Sequence, residues 1–382
     1  MWMTAVAGMA PAAGQGSQFG LINLLKAGAA QLIVLHHLAF YGPMADRARP
    51  LWPELIDWLG DSARIAVQVF LVIGGFLAAK SLSPAGWPGL ARPLAAIGRR
   101  YVKLAPPFLA ATLLAAVATQ WAAGWMTHDS LSAPATISQL SAHALLLHGV
   151  LGYESLSAGA WYVAIDFQLY AVMVLLLWLG GTPAGARART WLMPVAVAAG
   201  MALSLLHFNL DADWDNWAPY FFGSYGMGVL AWWAGDRCRH PAAVAALLAL
   251  LLVPALAALA VEYRSRIALA VLVALVLVLF GRTRTAASGP AWSVVNGLGR
   301  ISYAVFLVHF SICLVVNAAF TRFVPDEPAA QAVGVLLAWA ASLAGGAAFH
   351  RWIELPLGRF IGGLAGQFVA RPARTERLVV AR

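Results

Sequence analysis

Apolar stretches long enough to cross a lipid bilayer alternate with short polar loops along most of the chain. A spanning helix needs about 20 mostly apolar residues, because the hydrocarbon layer is about 30 Å thick and each helical residue rises about 1.5 Å. Ten stretches meet this requirement, and each is predicted to form a transmembrane helix. They cover residues 21–41, 62–81, 103–123, 160–180, 191–208, 218–235, 242–261, 266–281, 301–321 and 330–350.

A further apolar run, residues 140–151, is too short to span. It is predicted to be a re-entrant or interfacial segment, which lipid tolerates only where protein shields the backbone. The fold class predicted is all-α, a polytopic membrane helix bundle with about ten transmembrane helices. Residues 1–20 form a cytoplasmic N-terminal segment, residues 21–354 the transmembrane domain and residues 355–382 a basic cytoplasmic tail.

The composition agrees with this organisation. Hydrophobic residues make up 61% of the chain and charged residues 11%, whereas soluble domains carry roughly 25% charged residues. These values exclude a soluble enzyme and a disordered chain. Neither Cys238 nor Cys313 belongs to a CxxC pair, so we expect no disulfide framework and no metal site.

The sorting of charges predicts the orientation. Most of the 25 Lys and Arg residues fall in alternate loops and in the tail, while most acidic residues fall in the loops of the opposite side. Cytoplasmic loops carry the basic excess, so both termini are predicted to be cytoplasmic. The net charge of +9 therefore indicates membrane topology and contact with membrane lipids, and we expect no nucleic-acid partner.

Two spans carry ionisable groups that are predicted to lie in the outer half of the bilayer. His36 and His37 end the first span, and a histidine can take a proton from a hydroxyl and return it. Alternatively, the two histidines only solvate a helix end. Asp166 lies about two turns into the fourth span, so we expect a depth similar to that of His37. Its carboxylate could orient a histidine, or it could pair with a basic group such as Arg64.

Further polar groups are candidates for supporting roles. Tyr162, Gln168 and Tyr170 place hydrogen-bonding groups on the same span as Asp166. His309 lies deep in the ninth span, where it could line a tunnel or, as we favour, bond to a backbone carbonyl.

The opposite side of the bilayer carries a different set of charges. Lys26 is predicted near the inner end of the first span, and Glu354 at the cytoplasmic rim, where Arg351 or Arg300 could pair with it. Arg99, Arg100 and Lys103 stand at the mouth of the third span. Arginine is suited to phosphate recognition, although such residues can also serve as topology anchors.

Six segments in order resemble one known family. They are Lys26 followed eleven residues later by His37, residues 69–77 (VFLVIGGFL), residues 99–106 (RRYVKLAP), residues 161–170 (WYVAIDFQLY), residues 298–309 (LGRISYAVFLVH) and residues 354–356 (ELP). This series is similar to the acyltransferase family 3 membrane proteins. The chain departs from the family pattern at Lys26, where the family usually has Arg, and at Asp166, where Glu is commoner.

The resemblance implies an O-acyltransferase of the bacterial inner membrane that moves an acyl group, usually acetyl, from cytoplasmic acyl-CoA to a hydroxyl of an envelope carbohydrate or lipid-linked glycan. It implies that His37 is the catalytic base, and on it rests the expectation that Asp166 lies beside His37 and acts with it. Arg99, Arg100 and Lys103 would bind the phosphates of acyl-CoA.

A proton-coupled transporter or flippase is the alternative reading, because buried His, Lys and Asp also suit transport. A scaffold without chemistry fails to explain ionisable groups at membrane depth.

Overall fold

The computed structural model describes residues 20–181, 186–283 and 289–361, and for residues 186–189 it describes the backbone only. Within these ranges the chain forms thirteen α-helices and no strand. Most of the predicted N-terminal segment and of the basic tail lies outside the described residues.

The helices in chain order are α1 (Gly20–Phe40), α2 (Pro43–Ala48), α3 (Pro53–Asp61), α4 (Val67–Leu82), α5 (Pro93–Ala123), α6 (Ile137–Ala144), α7 (Ala160–Leu179), α8 (Ala186–Leu206), α9 (Ala218–Ala234), α10 (Pro241–Val261), α11 (Ser265–Phe280), α12 (Pro290–Phe323) and α13 (Pro328–Phe349), which continues into a π-helical turn (His350–Glu354). Each predicted span coincides with one of ten of these helices, namely α1, α4, α5 and α7 to α13. By length and composition, eight spans in the described part of the chain can cross a membrane. The predicted polytopic all-α membrane bundle is confirmed.

Two of the ten predicted spans are shorter than a membrane-spanning helix requires. They are α9, with 17 residues, and α11, with 16. Almost every side chain of α9 is buried, because the helix packs against α4, α7, α8, α10 and α11. α9 is apolar on nearly all sides, as expected for a helix that faces protein all round, and it falls short of a span only in its length of 17 residues.

Two glycines let α4 and α9 touch through their backbones. A Cβ at Gly75 of α4 would overlap the carbonyl oxygen of Tyr225, and a Cβ at Gly228 of α9 would overlap that of Val72. Such small residues are how membrane helices approach closely. The contact fixes the centre of the bundle.

α5 and α12 are longer than predicted, with 31 and 34 residues. Both begin with a proline in the first turn, where the missing N–H is not needed. α5 also runs without a break through Pro106 and Pro107. Arg99, Arg100 and Lys103 therefore lie inside a helix, two to three turns from its start, and not at its entrance.

The short apolar run at residues 140–151 forms the end of α6 and the turns after it. This connection is folded into the bundle: the Tyr101 hydroxyl of α5 donates to the Ala144 carbonyl at 2.7 Å. His143 and His148 are fully buried and stack on each other with ring centroids 4.0 Å apart. Both rings also face Phe108 of α5.

α1 and α12 run parallel and side by side. Asn23 donates to Asn296 at 2.9 Å near their starts, and Asn317 donates to the Tyr41 carbonyl at 3.3 Å near their far ends. Gly299 allows the approach, since a Cβ there would lie 2.7 Å from the backbone oxygen of Asn23. Residues at matching heights on the two helices therefore meet.

Candidate active site

His37 of α1 meets His309 of α12 in the seam between these two helices. His37 Nδ1 lies 2.6 Å from His309 Nε2, and the rings are nearly parallel, at 6°. Both histidines are buried. The other ring nitrogen of His309, Nδ1, lies 3.1 Å from the Val305 carbonyl oxygen one turn earlier. The predicted hydrogen bond from His309 to a backbone carbonyl is confirmed. The hydrogen bond between His309 and His37 was not predicted.

This arrangement selects one tautomer for each neutral ring. A carbonyl oxygen can only accept, so His309 Nδ1 carries the proton that is donated to Val305. His309 Nε2 then has a lone pair and accepts, so His37 Nδ1 must donate to it. The lone pair of His37 is left on Nε2, which is the form that a general base needs.

His36 faces away from this pair. Its Nδ1 lies 2.9 Å from the Leu59 carbonyl oxygen near the end of α3. Adjacent helical residues point about 100° apart, so His36 holds α3 against α1 while His37 faces α12. The geometry gives His36 a supporting position.

Asp166 contacts Arg100 and not His37. Arg100 Nη2 donates to Asp166 Oδ2 at 2.5 Å, and the side chains are 27% and 10% exposed. The expected juxtaposition of Asp166 with His37 is wrong, and so is the pairing with Arg64. Tyr303, which shares the electrostatic surroundings of Arg100 and Asp166, precedes His309 on α12 by six residues, or about 9 Å of helix.

The depth expected for Asp166 is wrong because α7 does not begin at the bundle surface. Gly159, which precedes α7, packs so closely on Phe306 that a Cβ would lie 2.8 Å from its ring. Phe306 is only one turn before His309 on α12. α7 therefore starts near the height of His37 and carries Asp166 further toward the end where α1 and α12 begin. The connection after α6, whose Leu146 and His148 are buried in the bundle, leads the chain to this starting point.

Four tyrosines surround the Arg100–Asp166 pair: Tyr162, Tyr170, Tyr225 and Tyr303. The Arg100 guanidinium lies 5.2 Å from the Tyr170 ring centre. Arg100 Nε and the Tyr225 hydroxyl are buried with no hydrogen-bond partner among the described residues. The pair is thus embedded in aromatic rings, with two hydrogen-bond donors left free.

Lys26 belongs to the same charged region. It interacts electrostatically with Lys103, Arg100, Asp166 and Glu354, so the two acidic groups sit among three basic ones. Lys26 precedes His37 by eleven residues, about 16 Å along α1. Lys26 and Arg100, both predicted near the cytoplasmic side, therefore lie in one charged region. This region is about three turns of α1 away from the histidine pair.

Two of the predicted supporting residues, Glu354 and Gln168, make hydrogen bonds that the sequence did not predict. Glu354 accepts from His350 Nδ1 at 2.8 Å across the π-helical turn, so the expected pairing with Arg351 or Arg300 is wrong. Gln168 accepts the backbone N–H of Ala218 at 3.1 Å and so satisfies a free donor in the first turn of α9. Arg99 and Lys103 are exposed.

A family model described as an acyltransferase domain matches residues 20–351. The chain belongs to the acyltransferase 3 family. No curated protein and no solved structure matches the chain. Membership confirms the resemblance seen in the six segments, and makes this chain a membrane acyltransferase.

For an acyltransferase, the arrangement supplies two separate components. The His37–His309 pair can hold a neutral imidazole with its lone pair ready for a hydroxyl proton. The region around Arg100, Lys26 and Lys103 presents positive charge. Within the described residues no cluster of three or more His, Cys, Asp or Glu could hold a metal ion.

Sequence reasoning missed the pairing of His309 and the buried histidines of the α6 connection. The His309 signal was available, because two histidines on adjacent parallel spans can meet at one height. No sequence signal distinguishes His143 and His148 from surface residues of a loop. Their burial follows from how the connection folds back on α5.

Proposed function

We propose that this protein is an integral membrane O-acyltransferase that moves an acyl group, in the first instance acetyl, from cytoplasmic acyl-CoA to a hydroxyl of an envelope carbohydrate or lipid-linked glycan. The observation that carries the proposal is the His37–His309 pair, which leaves His37 Nε2 as a free base in a chain of the acyltransferase 3 family. The protein is proposed to lie in the bacterial inner membrane with both termini cytoplasmic.

In the proposed reaction, His37 Nε2 takes the proton of the acceptor hydroxyl as its oxygen attacks the thioester carbonyl carbon. The new C–O bond forms, the C–S bond breaks, and the imidazolium returns the proton to the CoA thiolate. His309 keeps accepting from His37 Nδ1 throughout. It therefore holds the ring orientation and spreads the positive charge that appears on His37.

The donor is proposed to approach from the basic end of the bundle, where α5 carries Arg99, Arg100 and Lys103. Arg100 is engaged by Asp166, so its proposed role is to position that region. The free Arg100 Nε and the Tyr225 hydroxyl can donate to carbonyl oxygens of a bound donor. Positive charge also favours the approach of an anionic donor.

The test compares envelope glycans and lipids by mass spectrometry from cells with wild type, His37→Ala or His36→Ala at matched protein levels. We expect an acyl mass increment that is lost in His37→Ala and kept in His36→Ala. The opposite pattern would move the base to His36. If wild type adds no acyl mass while a substrate crosses the membrane in a His37-dependent way, the protein is a transporter and the proposal fails.

A further inference from the structure

A cavity of about 540 Å³ lies beside α12 and the π-helical turn that follows α13. Its wall includes Arg300, Arg351, Arg359, His350 and the indole of Trp352. Ligand sites in proteins have volumes of about 300–1,000 Å³, so the cavity has the size of a small-molecule site. Neither the histidine pair nor the Arg100–Asp166 pair contributes a residue to its wall.

The charge of the cavity is one-sided. None of Arg300, Arg351 and Arg359 makes an ion pair or a hydrogen bond within the described residues, and no acidic side chain lines the wall. Glu354, the nearest acidic group in sequence, is engaged by His350. Three guanidinium groups around one space repel each other, and a ligand with several negative charges relieves this repulsion. Guanidinium groups bind phosphate oxygens in pairs.

One aromatic side chain completes the wall. Trp352 is 70% exposed, so its indole ring is accessible to a ligand in the cavity. An indole ring can stack on a planar base or attract a cation, and the three neighbouring arginines exclude a cation. The chemistry of the wall therefore fits a phosphorylated ligand with a planar heterocycle.

The cavity is linked to the charged region inside the bundle. His350 lines the cavity and holds Glu354, and Glu354 interacts electrostatically with Lys26 and with Tyr303. Along α12, Arg300 precedes His309 by nine residues, an axial distance of about 13–14 Å. About four residues of extended chain cover this length, and the pantetheine arm of CoA is an extended, peptide-like chain of that order.

We infer that this cavity binds the phosphorylated adenosine end of the acyl donor, so that the arm reaches inward toward His37. The inference rests on the proposed function and names a place for the nucleotide different from the α5 cluster. The chemical group that the three arginines would bind is a cluster of phosphates. An anionic lipid headgroup shares the phosphate but lacks the heterocycle, and the experiment separates the two sources.

The experiment measures calorimetric binding of adenosine 3′,5′-bisphosphate and of CoA to the full chain in nanodiscs of zwitterionic lipid. We expect Kd for both probes to rise at least about tenfold in Arg351→Ala and in Arg359→Ala. Arg237→Ala, an exposed arginine on the turn between α9 and α10, is the matched control and should bind as wild type. Trp352→Ala should weaken the binding of adenosine bisphosphate but leave the Kd for inorganic pyrophosphate unchanged.

Three results would overturn the inference. If Arg351→Ala and Arg359→Ala left the Kd for both nucleotides unchanged while Arg99→Ala weakened their binding, the nucleotide would bind on α5. Arg351-dependent retention of phosphatidylglycerol or cardiolipin, with no nucleotide binding, would make the cavity a lipid site. If Trp352→Ala weakened the binding of adenosine bisphosphate and of inorganic pyrophosphate equally, the base would not lie in the cavity.

The same experiments distinguish a failure of the proposed acyltransfer from a failure of the cavity assignment. If CoA binds with the expected arginine dependence but no acyl group is transferred, the cavity assignment holds and the acyltransfer proposal does not. If transfer depends on His37 while Arg351→Ala leaves the KM for acyl-CoA unchanged, the reaction stands and the cavity assignment falls.

Discussion

His37 and His309 share a hydrogen bond of 2.6 Å between Nδ1 of one ring and Nε2 of the other, although 271 residues separate them along the chain. His309 is in turn fixed by the carbonyl of Val305. A backbone carbonyl thus determines, through one intervening ring, which nitrogen of His37 keeps its lone pair.

His309→Ala should lower kcat by about 10- to 100-fold, since general base catalysis contributes roughly 10²–10⁴-fold and the variant loses only the orientation of the base. His309→Gln should recover part of this loss, because the amide oxygen can still accept from His37 Nδ1. Steady-state kinetics with acyl-CoA at saturation checks both values. Equal activity of the Ala and Gln variants would contradict a hydrogen-bonding role. His207→Ala, exposed after α8, is the control.

Arg100 and Asp166 should behave as one coupled unit in a double-mutant cycle. Asp166 is buried and the Arg100 side chain is 27% exposed, so removing one member should cost at most the roughly 3–5 kcal/mol typical of a fully buried pair. Asp166→Asn and Arg100→Gln should therefore each lower the free energy of unfolding and the activity, while the double variant should be less harmed than the sum. Unfolding in detergent micelles and kcat/KM provide the measurements.

The exposed pair of Arg49 and Asp57, joined at 2.6 Å, is the control for this cycle. Water screens such a pair, so the coupling between Arg49→Gln and Asp57→Asn should be much smaller than the coupling between Arg100→Gln and Asp166→Asn. Additive effects at Arg100 and Asp166 would show that the buried contact does not link their functions.

Gly75→Ala should destabilise the bundle, because the added methyl group would overlap the backbone of α9 at Tyr225. Overpacking of this kind costs about 1–3 kcal/mol. Gly28→Ala in α1 is the matched control, since its Cβ would meet no atom within 4 Å; alanine favours helix over glycine by up to about 1 kcal/mol. Thermal unfolding temperatures should fall for the first variant and stay equal or rise for the second. The same fall in both would refute the close α4–α9 contact.

Acid should destabilise the connection between α5 and α7 through His148. Burial, together with the neighbouring His143, lowers the pKa of His148 from its usual 6.5 to about 3. The unfolded chain therefore binds a proton below about pH 6.5 that the folded chain takes up only near pH 3, so stability falls as pH falls through this window.

His148→Phe keeps the stacking on His143 and Phe108 and removes this titration. The unfolding temperature of the variant should drop less than that of wild type between pH 7 and pH 5. An identical pH dependence of the two proteins would show that His148 does not report on folding of the connection.

The fold class, the ten helices of the bundle and the family can all be predicted from the amino-acid sequence. These follow from quantities that are local in the chain: runs of about 20 apolar residues, and short motifs at fixed spacing. The spacing from Lys26 in the family motif favoured His37 over His36 as the base, and the two histidines have different hydrogen-bond partners.

Which polar groups meet follows from the packing of the helices and could not be predicted from the sequence. Depth along a span was inferred for Asp166 from the assumption that α7 starts at the bundle surface. The connection after α6 folds into the bundle and lowers that start, so Asp166 meets Arg100 and His37 meets His309. Hydropathy reports how far a residue lies from the nearest polar loop, but carries no information on where that loop sits or on which helices are neighbours.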